Sequence, residues 1–452
     1  MRIIKEGFEE MKESLLDTNR NRLSASSNMN LRSRYIEGTD YSCGTIRDSL
    51  TVSTNGRTLR YDNAIGLVVS LQISIMSVKN ILVVSHPLLL KLNNVLNASL
   101  FFIIGVLYLW GFRFVCRRLR KTTIAVLICS TVIICTSALM FNENIPFISE
   151  LLPRTILYSF LGLLYMSSMN DFECFLNYMV RFSYGIVFAS IVGAYMFMRN
   201  VGMGHLDSQY SMALSYSTSI GVMFLLYKYV QDGIKTDLLM VISGIFVIIL
   251  LGSRMHLANT LSYVALAYVR RIKNSAKSGI HVVLLFILGC LAVLNIDAIA
   301  TALNTVLISR GIYSRTLALF LSGRIMHLSS RDVIYETVLR EFYKRPLVGI
   351  GVGGSHVVAG TGVHSMYFEI FATLGLIVGS IVFAFLFYTV AKGLRLSRGT
   401  AARELIWIYL CLVIPRGFVG GGLWENQDLW RLLGVSISSI ANARRNKDDY
   451  TD

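Results

Sequence analysis

Gly252-Ser253-Arg254 interrupts the apolar stretch "VIILLGSRMHLANTLSYV" (247–264), and His256 follows two residues later. An arginine at the centre of a membrane helix costs about 2.5–3.5 kcal/mol on insertion scales. Arg254 therefore needs either an interfacial turn from which it snorkels to water, or an anion met from inside the bundle. A second concentration of cations lies in 298–365. Arg310, Arg315, Arg324, Arg331, Arg340, Lys344 and Arg345 there face only Asp332, Glu336 and Glu341. Guanidinium dominates the set, and its planar fork suits bidentate contact with phosphate oxygens. Directly after come "RPLVGIGVGG" (345–354) and "GVHSMYFEIFATLGLIVG" (362–379), which carry His364 and Glu369. The glycines at 349, 351, 353 and 354 permit close backbone approach, and a run of N–H groups there could bind an anion or serve only as a turn.

The elements that must position these residues are membrane helices. The chain has 452 residues, is 54% hydrophobic and only 15% charged, and has a mean hydropathy of +0.57. That is more apolar surface than one soluble core buries. Apolar windows recur at 64–84, 94–112, 122–140, 155–169, 179–198, 210–230, 237–252, 255–269, 279–297, 366–391, 402–420 and 425–441. The fold class expected is all-α, a polytopic membrane protein of about twelve transmembrane helices with a large outer loop containing short helices.

The net charge of +16 falls in clusters between those windows. "RFVCRRLRK" (113–121), "RRIKNSAKSG" (270–279), "KGLRLSRGTAARE" (392–404) and the "ARRNKDD" tail all satisfy the positive-inside rule if both termini are cytoplasmic. A nucleic-acid partner is not expected. Residues 1–63 then form a polar, largely disordered cytoplasmic tail with a short helix near Glu6–Leu16. Helices one to nine occupy 64–297, the outer loop 298–365, helices ten to twelve 366–441, and a cytoplasmic tail 442–452. The same register puts Arg254 at an outward-facing turn. In the outer loop, "SSRDVIYETVLREFYKRP" (329–346) predicts an amphipathic helix holding Val333, Ile334, Thr337, Val338 and Phe342 down, with a proline to end it. No cysteine falls in an outer loop, so no disulfide framework is expected, and no zinc-like spacing occurs. Tyr313, Tyr335, Tyr343 and Trp424 are the outside candidates for stacking on sugar rings.

An apolar segment ending in Gly-Ser-Arg, a large outer loop with a Gly-Arg element (Gly323-Arg324), "RPLVGIGVGG", and His364-Ser365 ahead of Glu369 and Gly375 resemble the O-antigen polymerase and ligase superfamily. Ser365 stands where that family commonly has asparagine, and Val378 where its ligases prefer a small residue or tyrosine. The motifs cover roughly 210–395. The resemblance implies transfer of a glycan from an undecaprenyl-diphosphate carrier, outside the cytoplasmic membrane, without metal, cofactor or nucleotide. Its partners would be the lipid-linked oligosaccharide donor and acceptor and the bilayer, with a flippase and a chain-length regulator beside them. Polymerases extend the next lipid-linked repeat in O-antigen, capsule or exopolysaccharide; ligases transfer to lipid A-core.

On that resemblance Arg254 and the element holding Arg324 bind diphosphate, with Arg331 and Arg340 as further cations and Gly351 and Gly353 in the glycan-binding loop. His364 matches the family's outer-loop histidine and would act as general base or orient the acceptor. Glu369 would orient an arginine through a buried pair, or be a structural acid of the bundle interior. Polymerase leads ligase because the ligase signature is incomplete. A lipid-linked glycan flippase or transporter is the alternative of another class, disfavoured by the lack of an obvious repeat; a non-catalytic assembly partner is a further one.

Overall fold

Serine, proline and glycine set the helix boundaries in this computed structural model, which describes residues 52–202, 211–251, 253–272, 296–310, 321–322 and 331–448. The expected helix near Glu6–Leu16, residues 279–295 of the ninth window, Tyr313 and Arg324 lie outside the described residues. In chain order the helices are α1 (Val52–Ser85), α2 (Pro87–Lys91), α3 (Asn93–Val115), α4 (Lys121–Met140), α5 (Ile145–Arg154), α6 (Leu161–Ser168), α7 (Glu173–Gly202) and α8 (Met212–Asp232). They continue as α9 (Lys235–Leu250), α10 (Arg254–Ile272), α11 (Ile296–Ser309), α12 (Arg331–Lys344), α13 (Gly354–Ala359), α14 (Met366–Leu396), α15 (Ala401–Val419) and α16 (Gln427–Asp448). No strand occurs among the described residues.

Local chemistry explains several ends. Ser211 caps α8 by accepting from the Leu214 amide at 3.2 Å, and Gly233 closes it in the left-handed region at φ 71°. Pro153 lacks the amide that helix propagation needs, and a π turn, Thr155–Phe160, follows at once between α5 and α6.

Six helical stretches among the described residues are long and apolar enough to cross a membrane: Arg60–Ser85, Asn93–Arg118, Lys121–Met140, Asn142–Ser168, Glu173–Val201 and Met366–Leu396. The expectation of about twelve is met only in part. Windows 210–230, 237–252, 255–269, 402–420 and 425–441 do become α8, α9, α10, α15 and α16, but α9 has 16 residues and α16 carries Asp428 and Arg431 in its first two turns. The window at 155–169 is the second half of a single stretch that begins at Asn142. Helix α1 starts at Val52 and α16 runs to Asp448, so helix extends into residues read as the two tails.

Large apolar side chains face outward on several of these helices. Phe102, Leu109 and Leu139 are 73%, 76% and 81% exposed, an arrangement stable where hydrocarbon replaces water. Inside, α16 packs against α6, α14 and α15, while α8 packs against α7, α9 and α10. One end of the bundle is rich in arginine. There Arg118 pairs with Asp62 at 2.5 Å, and Arg270 makes a bidentate pair with Glu404 at 2.7 and 2.6 Å. Arg120 at the same end donates to the side chains of Asn170 and Asn442. The opposite end carries α5, α12, α13 and the segment between α15 and α16.

Candidate functional site

The loop 345–353 enters α14 where that helix breaks. Gly375 has φ 74° and ψ 174°, a conformation essentially restricted to glycine. The break frees two carbonyls and one amide, and the loop satisfies them: Ile350 donates to Ala372 O at 2.9 Å, Gly351 donates to Thr373 O at 3.0 Å, and Leu376 donates to Pro346 O at 2.9 Å. The Val352 amide donates to Ser137 Oγ at 2.6 Å. The amides of Ile350, Gly351 and Val352, read from sequence as a possible anion nest, are thus already bonded within the protein. Gly351 is needed for packing, since a Cβ there would lie 2.5 Å from Phe141 Cδ2 and 2.8 Å from Asn144 Nδ2. Gly353, at φ 79°, remains on the wall of a cavity.

That cavity, of about 200 Å³, gathers side chains from four separate segments. The α5 helix gives Phe147, Glu150 and Arg154, and α13 gives His356. His364 and Glu369 come from the start of α14, and Gly421, Gly422, Trp424 and Glu425 from the segment ahead of α16. Ser365 caps α14, its Oγ accepting from Phe368 N at 3.4 Å and donating to Gly417 O at 3.2 Å. His364, one residue earlier, is held at φ 51°, the one non-glycine in the left-handed region among the described residues. Such a conformation costs on the order of 1–3 kcal/mol and clusters at functional sites. Partial burial pulls the His364 imidazole below the ordinary histidine value, with the charges of Arg331 and His356 adding to the effect. Its neutral form therefore persists at neutral pH.

Glu369 accepts the Leu423 amide through Oε2 at 2.6 Å. A Cβ at position 422 would come within 2.5 Å of that same oxygen, so Gly422 is what lets the segment approach the carboxyl group. The buried pair expected between Glu369 and an arginine is absent among the described residues; a backbone N–H takes its place. Arg154 is the guanidinium on the cavity wall, bridging Glu150 at 3.1 Å and Glu425 at 3.4 Å.

The other expected cations lie elsewhere. Arg254 is the first residue of α10 and is exposed, not turned into the bundle. Its neighbour Met255 packs against the segment that walls the cavity, with its sulfur 3.1 Å from where a Gly420 Cβ would stand. Arg331 begins α12 close enough to act on His364, whereas Arg340 is 69% exposed and pairs with Glu336 at 3.5 Å. The α12 helix buries Val338 and Phe342 as expected, but Val333 faces outward. His256 is buried and bonded to Ser253 at 2.6 Å.

Sequence reading missed the ionic core beneath this site. Asp428, fully buried, accepts from Arg431 at 3.1 Å, Arg416 at 3.2 Å and Tyr216 at 2.6 Å. Arg431 also donates to Gln72 at 2.7 Å and Gln427 at 2.9 Å. Ionisable residues inside an apolar helix are a signal in themselves, and "QDLWRLLGV" (427–435) carries two of them three residues apart. Arg416 lies in the last turn of α15 and Asp428 in the first turn of α16, so their contact clamps both ends of the 420–426 segment. His356, stacked on Phe147 at 5.2 Å, and the Glu150–Arg154–Glu425 bridge were likewise not anticipated.

Comparison with family models, curated proteins and solved structures finds no match to this chain.

Proposed function

We propose that the chain is a membrane glycosyltransferase that polymerises undecaprenyl-diphosphate-linked oligosaccharide repeat units on the outer face of the cytoplasmic membrane. The product would be O-antigen, capsule or exopolysaccharide. The observation that carries this reading is the juxtaposition of a strained imidazole, His364, and a carboxyl group, Glu369, on one polar cavity at the end of an apolar helical bundle. The bundle end holding Arg118, Arg120, Arg270 and Arg403 would face the cytoplasm by the positive-inside rule. Both termini would then be cytoplasmic and the cavity outside. In this reading α8, α9, α10, α15 and α16 also cross, giving about twelve spans, and 298–365 is the outer loop.

The reaction needs two things. An acceptor hydroxyl attacks the donor's anomeric carbon as the carbon–oxygen bond to diphosphate breaks, so its proton must leave; Glu369 or His364 receives it. Undecaprenyl diphosphate departs with the electron pair and needs cations where that charge develops. Arg254 suits this role, because a cation at a helix N-terminus is unfavourable unless an anion joins it. Arg331, Arg324 and Arg340 are the further candidates.

The test places Arg254→Ala and Arg254→Lys beside the wild-type chain with lipid-diphosphate-linked oligosaccharide, following chain extension on a gel with folding confirmed by melting temperature. Loss of the ladder in Ala with little rescue by Lys is expected. Full ladders from both variants remove Arg254 from the site. The buried Arg416–Asp428–Arg431 group favours a second reading, transport of a lipid-linked glycan, since intramembrane charge also marks transport paths. A wild-type chain that moves labelled lipid-linked oligosaccharide across vesicles without extending it would establish that reading instead.

A further inference from the structure

The cavity is acidic, and a diphosphate is the wrong ligand for it. Glu150, Glu369 and Glu425 line it, and the guanidinium of Arg154 is already shared between two of them at 3.1 and 3.4 Å. Glu369 uses Oε2 for the Leu423 amide, which leaves Oε1 to accept from a ligand. Phe147, stacked on His356, and Trp424 form part of the same wall. The space thus offers carboxyl acceptors beside aromatic side chains. Its volume of about 200 Å³ is below that of a site for a drug-sized molecule and admits a single ring.

We infer that this cavity binds a non-acidic sugar ring of the acceptor glycan through its hydroxyl groups, while the donor's diphosphate stays outside near the exposed arginines. The inference rests on the glycosyltransferase reading and adds a substrate class to it. Vicinal hydroxyls donate to carboxylates in charge-assisted hydrogen bonds. A uronic or phosphorylated ring would bring a further anion to a wall of three carboxyl groups whose one guanidinium is already shared between two of them, and the site would disfavour it by repulsion. The donor and acceptor are thereby sorted by charge: anion to the arginines, neutral polyol to the cavity.

The experiment uses the full chain in living cells with Phe147 replaced by the photoreactive residue p-benzoylphenylalanine, and a parallel reporter at Leu151 in case one position fails to fold. After irradiation the protein is purified and the captured ring is identified by mass spectrometry. A captured non-acidic sugar is expected, with capture reduced about tenfold by Glu425→Ala, the loss of one charge-assisted hydrogen bond. Capture of an acidic ring, capture of a lipid diphosphate headgroup, or no glycan at either folded reporter would overturn the inference. Deleting the gene is scored separately. Unchanged polymer length in the deletion strain removes the polymerase reading, whatever the reporters capture.

Discussion

The amide of Leu376 donates to the carbonyl of Pro346 at 2.9 Å, although a continuous helix would have given it the carbonyl of Ala372, which accepts from Ile350 instead. The loop after α12 is therefore inserted into the hydrogen-bond ladder of α14. This insertion fixes where α14 begins its turn toward the cavity, and hence where Glu369 and His364 stand.

Replacing Gly375 by alanine should break that insertion. The new Cβ would collide with the Leu347 carbonyl, and the backbone conformation alone costs on the order of 1–3 kcal/mol for a non-glycine residue. A lower melting temperature and loss of chain extension are expected. Gly105→Ala, with nothing within 4 Å of its Cβ, serves as the control and should change neither. Equal melting temperatures for the two variants would dismiss the insertion as a structural element.

Glu369 has a backbone task and a chemical one, and two substitutions separate them. Glu369→Gln keeps an oxygen for the Leu423 amide and should fold normally, yet lose about 10²–10⁴ in rate if the carboxyl group takes the proton. Glu369→Ala also leaves that amide without its partner, at about 1–3 kcal/mol if it stays buried. Thermal unfolding read beside the extension rate distinguishes them. A Gln variant of full activity would confine Glu369 to positioning the Leu423 segment.

The His364 ring should titrate below the ordinary histidine value of about 6.5. Partial burial is the main cause and Arg331 contributes, so Arg331→Gln should move the midpoint upward. The sign for stability follows: with the folded-state value depressed, the contribution is present above the ordinary value and is lost as pH falls through the folded-state one. Histidine-selective NMR, assigned with His364→Gln, measures the midpoint. A midpoint unmoved by Arg331→Gln would show that the two side chains do not interact.

Removing Asp428 should be more damaging than any change on the cavity wall. Asp428→Ala would leave Arg431, 1% exposed, without its carboxylate, and breaking a buried pair typically costs about 3–5 kcal/mol. Asp428→Asn keeps acceptors for Arg431 and should lose less. Stability measured by urea or thermal unfolding in detergent should rank wild type above Asn above Ala. An Ala variant as stable as wild type would mean that Gln72 and Gln427 alone satisfy Arg431.

The helices were legible because they are local. An apolar run of membrane length, a serine such as Ser211 at a helix start and a glycine such as Gly233 at its end all act within a few residues, so the sequence alone determined α3, α4, α7, α8 and α14. It also marked His364 and Glu369 as neighbours, since they are five positions apart. What only tertiary structure decided is how distant groups meet. Arg154 reaches Glu425 across 271 residues, Arg431 reaches Gln72 across 359, and amides of the glycine loop are taken by carbonyls of a helix broken at Gly375. Such pairings leave no periodicity in the chain, because they depend on which helix faces are brought together. Packing therefore determined that the glycine loop holds α14, that Arg254 stays exposed, and that the cavity is lined by carboxylates.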